Sequence, residues 1–201
     1  MKSIPKHFVS LQKLGYKCIN YYFGKGGQEI GLSKEFLHSI GITNDTLWAH
    51  PDILKRLRTA QQILNRAGYD FAIKDAFRPV ALVEEICRLR KEQGKEVEKL
   101  ISQEKMPHAT GMAIDVTLYE FFEDENEFYI DEEVYTRDNK KDGDDCSYVG
   151  FYEGKTDADS INFQNIQKIL IGAFHRAGFV LGNRREVWHF EMPNLSNAPR
   201  Y

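Results

Sequence analysis

Long apolar runs are absent from this 201-residue chain, and so is any Cys-x-x-Cys pair. The first absence excludes a transmembrane helix, which needs about 20 consecutive apolar residues. The second, with only three scattered cysteines at Cys18, Cys87 and Cys146, argues against a disulfide framework and fits a reducing compartment. The opening residues Met1-Lys2-Ser3-Ile4-Pro5-Lys6-His7 lack the apolar stretch of a secretory signal. The expected location is therefore cytoplasmic, or periplasmic if a native leader has been removed. A basic excess is missing too: 27 Lys and Arg face 30 Asp and Glu, a net charge of −3. That balance argues against a duplex-DNA binder that works by neutralising phosphates, so neither nucleic acid nor membrane is expected as a partner. There is no internal repeat and no Pro- or Ser/Gly-rich linker, and a single domain over 1–201 is expected.

The charge is unevenly spread. Twelve acids against three bases fall between Glu120 and Asp145, a net −9 that leaves +6 on the rest of the chain. The stretch at about 120–146 reads as a solvated acidic surface insertion. Asp138 to Gly143 looks like the start of a calcium loop, but Lys140 occupies the third ligand position and no Glu closes the loop at the twelfth.

Elsewhere the periodicity is clearer. Residues 51–67 carry Ile53, Leu54, Leu57, Ala60, Leu64 and Ala67 at helical spacing, and Gly68 is a stop. Tyr69 to Lys74 reads as a strand, and 79–102 as a charge-rich helix with Pro79 in its first turn. Ala113 to Leu118 alternates as a strand, with Ile114, Val116 and Leu118 on one face and Ala113, Asp115 and Thr117 on the other. Residues 161–177 form an amphipathic helix, with Ser160 as the expected cap, and Phe179–Leu181 and Val187–Glu191 read as a hairpin around Asn183-Arg184-Arg185. Helices alternating with clustered strands predict an α+β fold with a small, mostly antiparallel central sheet flanked by helices.

Two short patterns are decoys. Gly150 to Thr156 resembles a phosphate loop but is one residue short between its glycines, and that spacing sets the curl of N–H groups around phosphate. Ser3-Ile4-Pro5-Lys6 has the spacing of a serine acyltransferase without its companion motifs.

Three separated segments hold groups of one chemical kind. In His108-Ala109-Thr110-Gly111-Met112-Ala113-Ile114-Asp115, a carboxylate sits between Ile114 and Val116 in an apolar strand. Its burial is costly unless a cation compensates it. A metal would do so; an edge strand with Asp115 facing water is the alternative. Glu186-Val187-Trp188-His189 adds a second imidazole and another carboxylate. Two His and one carboxylate with an open fourth position is a catalytic zinc pattern, and it leaves Glu186 as a general base. A regular strand would point 186 and 189 to opposite faces, so this reading needs a bend near Val187 or a turn that includes Glu186. His189 by itself would better suit a packed, hydrogen-bonded histidine. In Asp75-Ala76-Phe77-Arg78-Pro79, Arg78 either binds a substrate carboxylate or stabilises a developing oxyanion, or else makes a salt bridge to Asp75.

These three blocks together resemble the D-alanyl-D-alanine dipeptidase branch of the zinc DD-peptidases. Asp75 to Pro79 is similar to that family's Asp-Gly-Tyr-Arg-Pro, His108 to Asp115 to its Ser-x-His-x-x-Gly-x-Ala-x-Asp, and Glu186 to Phe190 to its Glu-x-Trp-His-aromatic. Asn20-Tyr21-Tyr22-Phe23-Gly24 echoes a further N-terminal segment. The resemblance implies one Zn²⁺ per chain on His108, Asp115 and His189, with Glu186 as catalytic base and Arg78 stabilising the transition state. It implies hydrolysis of D-alanyl-D-alanine, or a related D-amino-acid dipeptide, by a metal-activated water. The alternatives are a zinc DD-carboxypeptidase or endopeptidase acting on peptidoglycan stems, and a metal-stabilised binding module without catalysis. Two positions depart from the family: Met106 stands where it has Ser, and its Met-Gly-x-x-Phe-Asp block is matched only by Val149-Gly150-Phe151-Tyr152-Glu153. Glu153, Asp157 and Asp159 are candidates to replace the acid that holds the substrate amine, and Trp188 is a further candidate substrate contact.

Overall fold

Apolar residues three and four apart dictate the longest helices, and alternation dictates the strands that carry the site. A computed structural model describes residues 4–95, 106–120, 148–182 and 186–201. Residues 121–147 of the acidic stretch, with the Asp138–Gly143 pattern and Cys146, lie outside the described residues. So do residues 96–102 of the helix expected over 79–102 and the Asn183-Arg184-Arg185 turn. Strands β3 (Tyr69–Asp75), β4 (Ala113–Glu120), β5 (Val180–Leu181) and β6 (His189–Glu191) form a small antiparallel sheet in the order β3-β4-β6-β5. Strands β1 (Val9–Ser10) and β2 (Trp48–Ala49) form a separate antiparallel pair, with Val9 opposite Ala49. With the flanking helices this is the α+β fold expected from the sequence. No helix among the described residues is long and apolar enough to cross a membrane.

The chain divides into two units. The first comprises Met1–Ile53, Ile73–Asp115 and Asn194–Tyr201. It contains α1 (Lys25–Ile30), α2 (Lys34–Ser39) and α4 (Val80–Glu92). Tyr22, Ile30, Leu32, Leu37, Leu82, Val83, Ile86 and Cys87 make one buried cluster there. Main-chain bonds bind the loops of this unit to one another. Phe77 N–H donates to Trp48 C=O (2.8 Å), Arg78 N–H to His108 C=O (3.1 Å), and Tyr201 N–H to Ala109 C=O (3.0 Å). Gly111 follows the 3₁₀ turn Pro107–Thr110 at φ 71°. A Cβ there would strike the Phe8 ring and stand 3.1 Å from His50 N. Glycine is required on both counts, the left-handed backbone and the close approach.

The second unit comprises Leu54–Ala72 and Val116–Pro193. The helix expected over 51–67 begins as a 3₁₀ turn, Pro51–Ile53, and continues within this unit as α3 (Leu54–Asn65). It packs against α5 (Ala158–Arg176), the longest helix among the described residues. The cap of α5 is Asp157 rather than Ser160: its extended backbone (φ −71°, ψ 152°) lets its carboxylate accept Ser160 N–H at 3.0 Å. Ser160 is thus inside the first turn and buried, and the helix starts three residues before the expected 161. Phe174 is the centre of an aromatic cluster, stacked on Phe190 at 4.2 Å and meeting Phe71 and Phe179 at 5.3 and 5.5 Å. The hairpin strands pair as expected, Leu181 opposite Phe190 and Val180 opposite Glu191. The second strand is shorter than expected, because Val187 and Trp188 belong to a turn and pairing starts at His189.

Candidate metal centre

In the first unit five ionisable side chains converge: Tyr22, Asp75, Arg78, His108 and Asp115. Asp75 ends β3 and is buried; its carboxylate accepts Ala76 N–H at 2.9 Å and Arg78 Nε–H at 3.0 Å, with a further short contact from Arg78 Nη2. The salt-bridge reading of Arg78 therefore holds, but the guanidinium has a second neighbour: Arg78 Nη2 lies 3.8 Å from Asp115 Oδ2. Its other side faces the Tyr22 ring, 4.7 Å from the centroid. Burial by itself would lower the Arg78 pKa; Asp75, Tyr22 and Asp115 outweigh it and hold the group above its ordinary value. Arg78 is therefore a fixed positive charge. Burial pushes the Tyr22 phenol up to about 12, so it stays a neutral hydroxyl.

His108 is held from behind. Its Nδ1 lies 2.7 Å from Ala76 C=O and 3.6 Å from Asp75 Oδ2. A carbonyl only accepts, so Nδ1 carries a proton, and in the neutral ring Nε2 then presents its lone pair. Nε2 lies 3.3 Å from Asp115 Oδ1. In the neutral ring that lone pair faces a carboxylate oxygen, an arrangement relieved by any cation shared between the two, a proton or a metal ion. Two donors on a tetrahedral zinc, each about 2.0–2.1 Å from the ion, stand about 3.3 Å apart. The observed spacing fits that geometry. The alternative reading of Asp115, an edge strand open to water, is corrected by the sheet order: β4 lies between β3 and β6, and the Asp115 side chain is 20% exposed. An inner strand has both ladders occupied, so its outward carboxylate answers to its neighbours rather than to bulk solvent.

In the second unit the turn before β6 relieves the conflict between Glu186 and His189. His189 N–H donates to Glu186 C=O at 3.2 Å, and Glu186 bridges Tyr148. The segment is thus a turn and not a strand, and alternation does not assign 186 and 189 to opposite faces. His189 is buried, while Glu186 and Trp188 are half-buried. Gly182 lies against the imidazole edge; a Cβ at 182 would strike Cδ2 and approach Nε2 to 2.9 Å. His189 Nε2 is 3.6 Å from Glu191 Oε2, a neighbour that the reading of the sequence missed. The signal was available, since residues two apart on a strand share a face.

His108, Asp115 and His189 each offer one ligand atom, and these atoms all lie within 4.8 Å of one another. The three residues singled out in the sequence therefore form a group that could hold a metal ion. Two imidazoles and a carboxylate suit zinc and other borderline divalent ions. Glu153, Asp157 and Asp159 are exposed, and Asp157 is engaged as the α5 cap. Lys155 of the false phosphate loop lies over the Phe151 ring at 3.6 Å. Met106, where the resembling family has Ser, adopts φ 40° and packs against the Tyr22 cluster, so an apolar contact occupies the place of a hydroxyl. The chain matches no family model and no curated protein sequence.

Proposed function

We propose that this protein is a zinc-dependent peptidase that hydrolyses D-alanyl-D-alanine or a closely related D-amino-acid dipeptide. The observation that carries the metal part is the grouping of His108, Asp115 and His189. The dipeptide part rests on the motif resemblance. When bound, the ion supplies Lewis acidity toward the scissile carbonyl and lowers the pKa of a coordinated water toward 7. His108 and His189 donate neutral nitrogens, and Asp115 brings one negative charge. Glu186 accepts the proton of the attacking water and delivers it to the leaving amine. Arg78, charged at every accessible pH, stabilises the negative oxygen that develops on the carbonyl carbon. Its grip on Asp75 fixes its orientation before substrate arrives, which is what electrostatic preorganisation requires.

The test combines a substrate panel with one variant. Free D-Ala-D-Ala, mixed-chirality dipeptides and a pentapeptide stem are assayed with and without chelator. Chelator-sensitive cleavage of the dipeptide is expected, and cleavage of the pentapeptide alone would replace the dipeptidase reading with the carboxypeptidase one. Glu186→Ala is expected to abolish turnover while zinc content stays near one per chain. Unchanged turnover would remove Glu186 from the mechanism.

A further inference from the structure

Each imidazole of the metal group has one nitrogen near a protein oxygen, at hydrogen-bond distance for His108 and at ion-pair distance for His189, and the two histidines use different nitrogens. For His108 it is Nδ1, held 2.7 Å from Ala76 C=O with Asp75 3.6 Å away. For His189 it is Nε2, 3.6 Å from Glu191 Oε2. Glu191 follows His189 by two residues on β6, so both side chains leave the same face of the strand. Both are largely enclosed, with side-chain exposures of 11% and 15%. Between them, Phe190 points the other way, onto Phe174, and pins the strand. Glycine at 182 leaves room for the Nε2 edge, because a Cβ would occupy the place of the ring. Glu191 is near His189 yet is not one of the three residues whose ligand atoms share a 4.8 Å neighbourhood. It touches the ligand without joining the group.

We propose that Glu191 is a positioning residue: its carboxylate accepts the His189 Nε2–H, fixes that tautomer, and so presents Nδ1 to the metal. The inference rests on the metal reading above and deepens it. It makes the two histidines opposite in ligation, His108 through Nε2 and His189 through Nδ1. A ligating imidazole commonly donates its other N–H to an oxygen, and loss of that partner typically costs about 10–100-fold in metal affinity. Gly182 has a related role, since any side chain there would push the ring off this axis.

The test measures zinc affinity by chelator competition and imidazole tautomers by ¹⁵N NMR of the histidine-labelled, zinc-loaded protein. Glu191→Ala is expected to weaken zinc about 10–100-fold, and Glu191→Gln, which retains an accepting oxygen, to weaken it by less than the Ala variant. The wild-type spectrum is expected to show His189 protonated at Nε2 and metallated at Nδ1. Zinc ligation through His189 Nε2 would overturn the proposal without help from any variant. So would wild-type affinity in Glu191→Ala, or a loss of zinc as complete as in His189→Ala, which would make Glu191 a ligand. If His189→Ala retains stoichiometric zinc, the metal reading itself fails, and that failure is distinguishable from failure at Glu191 alone.

Discussion

The two units bury different things. The second is built around Phe71, Phe174, Phe179 and Phe190, each at most 1% exposed, with Phe174 meeting the other three ring to ring. The first has its own apolar cluster, but beside it Asp75, Arg78 and His108 are also buried, at 4%, 6% and 4%. Aromatic burial stabilises by removing apolar area from water and by packing. Burial of charge does the opposite unless every charge is matched. The aromatic cluster is therefore where stability is expected to reside, and the charged cluster is tolerated because it holds groups in place. Within the second unit, β6 places Phe190 in the aromatic cluster, while His189 and Glu191 alternate to the other face.

The largest expected effect tests the aromatic side. Phe174 is fully enclosed and contacts three other rings, so Phe174→Ala should cost about 4 kcal/mol of unfolding free energy in urea. If the variant folds, its zinc affinity should change far less than that of Glu191→Ala. A folded Phe174→Ala protein that has lost its metal would show that the division between stabilising and positioning residues is wrong.

A smaller effect is expected on the charged side. Asp75→Ala leaves the buried Arg78 with Asp115, 3.8 Å away, as its remaining carboxylate partner among the described residues. Removing one member of a buried pair costs about 3–5 kcal/mol, and the remaining neighbour argues for the low end, about 3 kcal/mol. The double variant Asp75→Leu/Arg78→Met removes the stranded charge and should unfold at higher urea than Asp75→Ala, yet remain without activity. A double variant less stable than the single one would mean that the ion pair contributes net stability, and the contrast between the two units would weaken.

The elements legible in the sequence were those with enough residues to show a period, together with the short β5–β6 hairpin, which its turn residues marked. α3, α5, β3 and β4 were readable because six or more residues carried each pattern. The missed elements are short. α1 is Lys25–Ile30 and includes Gly26 and Gly27, residues of poor helix propensity. They are there because a Cβ at either would strike Tyr21 or the Tyr22 backbone, a tertiary contact with no local signature. α2 did leave a local sign: Ser33 caps it by accepting Phe36 N–H at 3.1 Å. The two-residue β1 and β2 carry no periodicity at all. The three residues that could hold a metal were singled out from chemistry, since the burial of an isolated Asp in an apolar strand is costly unless a cation compensates it. Their pairing with Arg78 and Tyr22 was not, because only the fold brings those residues beside Asp115.

The smallest effect separates a structural carboxylate from a functional one. Asp157 was a candidate for holding a substrate amine, and the structure gives it a different task, accepting Ser160 N–H at the start of α5. Loss of such a cap costs about 1 kcal/mol. Asp157→Ala should therefore lower stability by about that amount and leave KM for the dipeptide unchanged. Asp157→Asn separates the two roles, since Asn caps about as well as Asp but carries no charge to attract an amine. Full stability with unchanged KM in the Asn variant would assign the residue to the helix. Full stability with a raised KM would return it to the substrate, and would add a functional charge to Glu186 and Glu191 in the second unit.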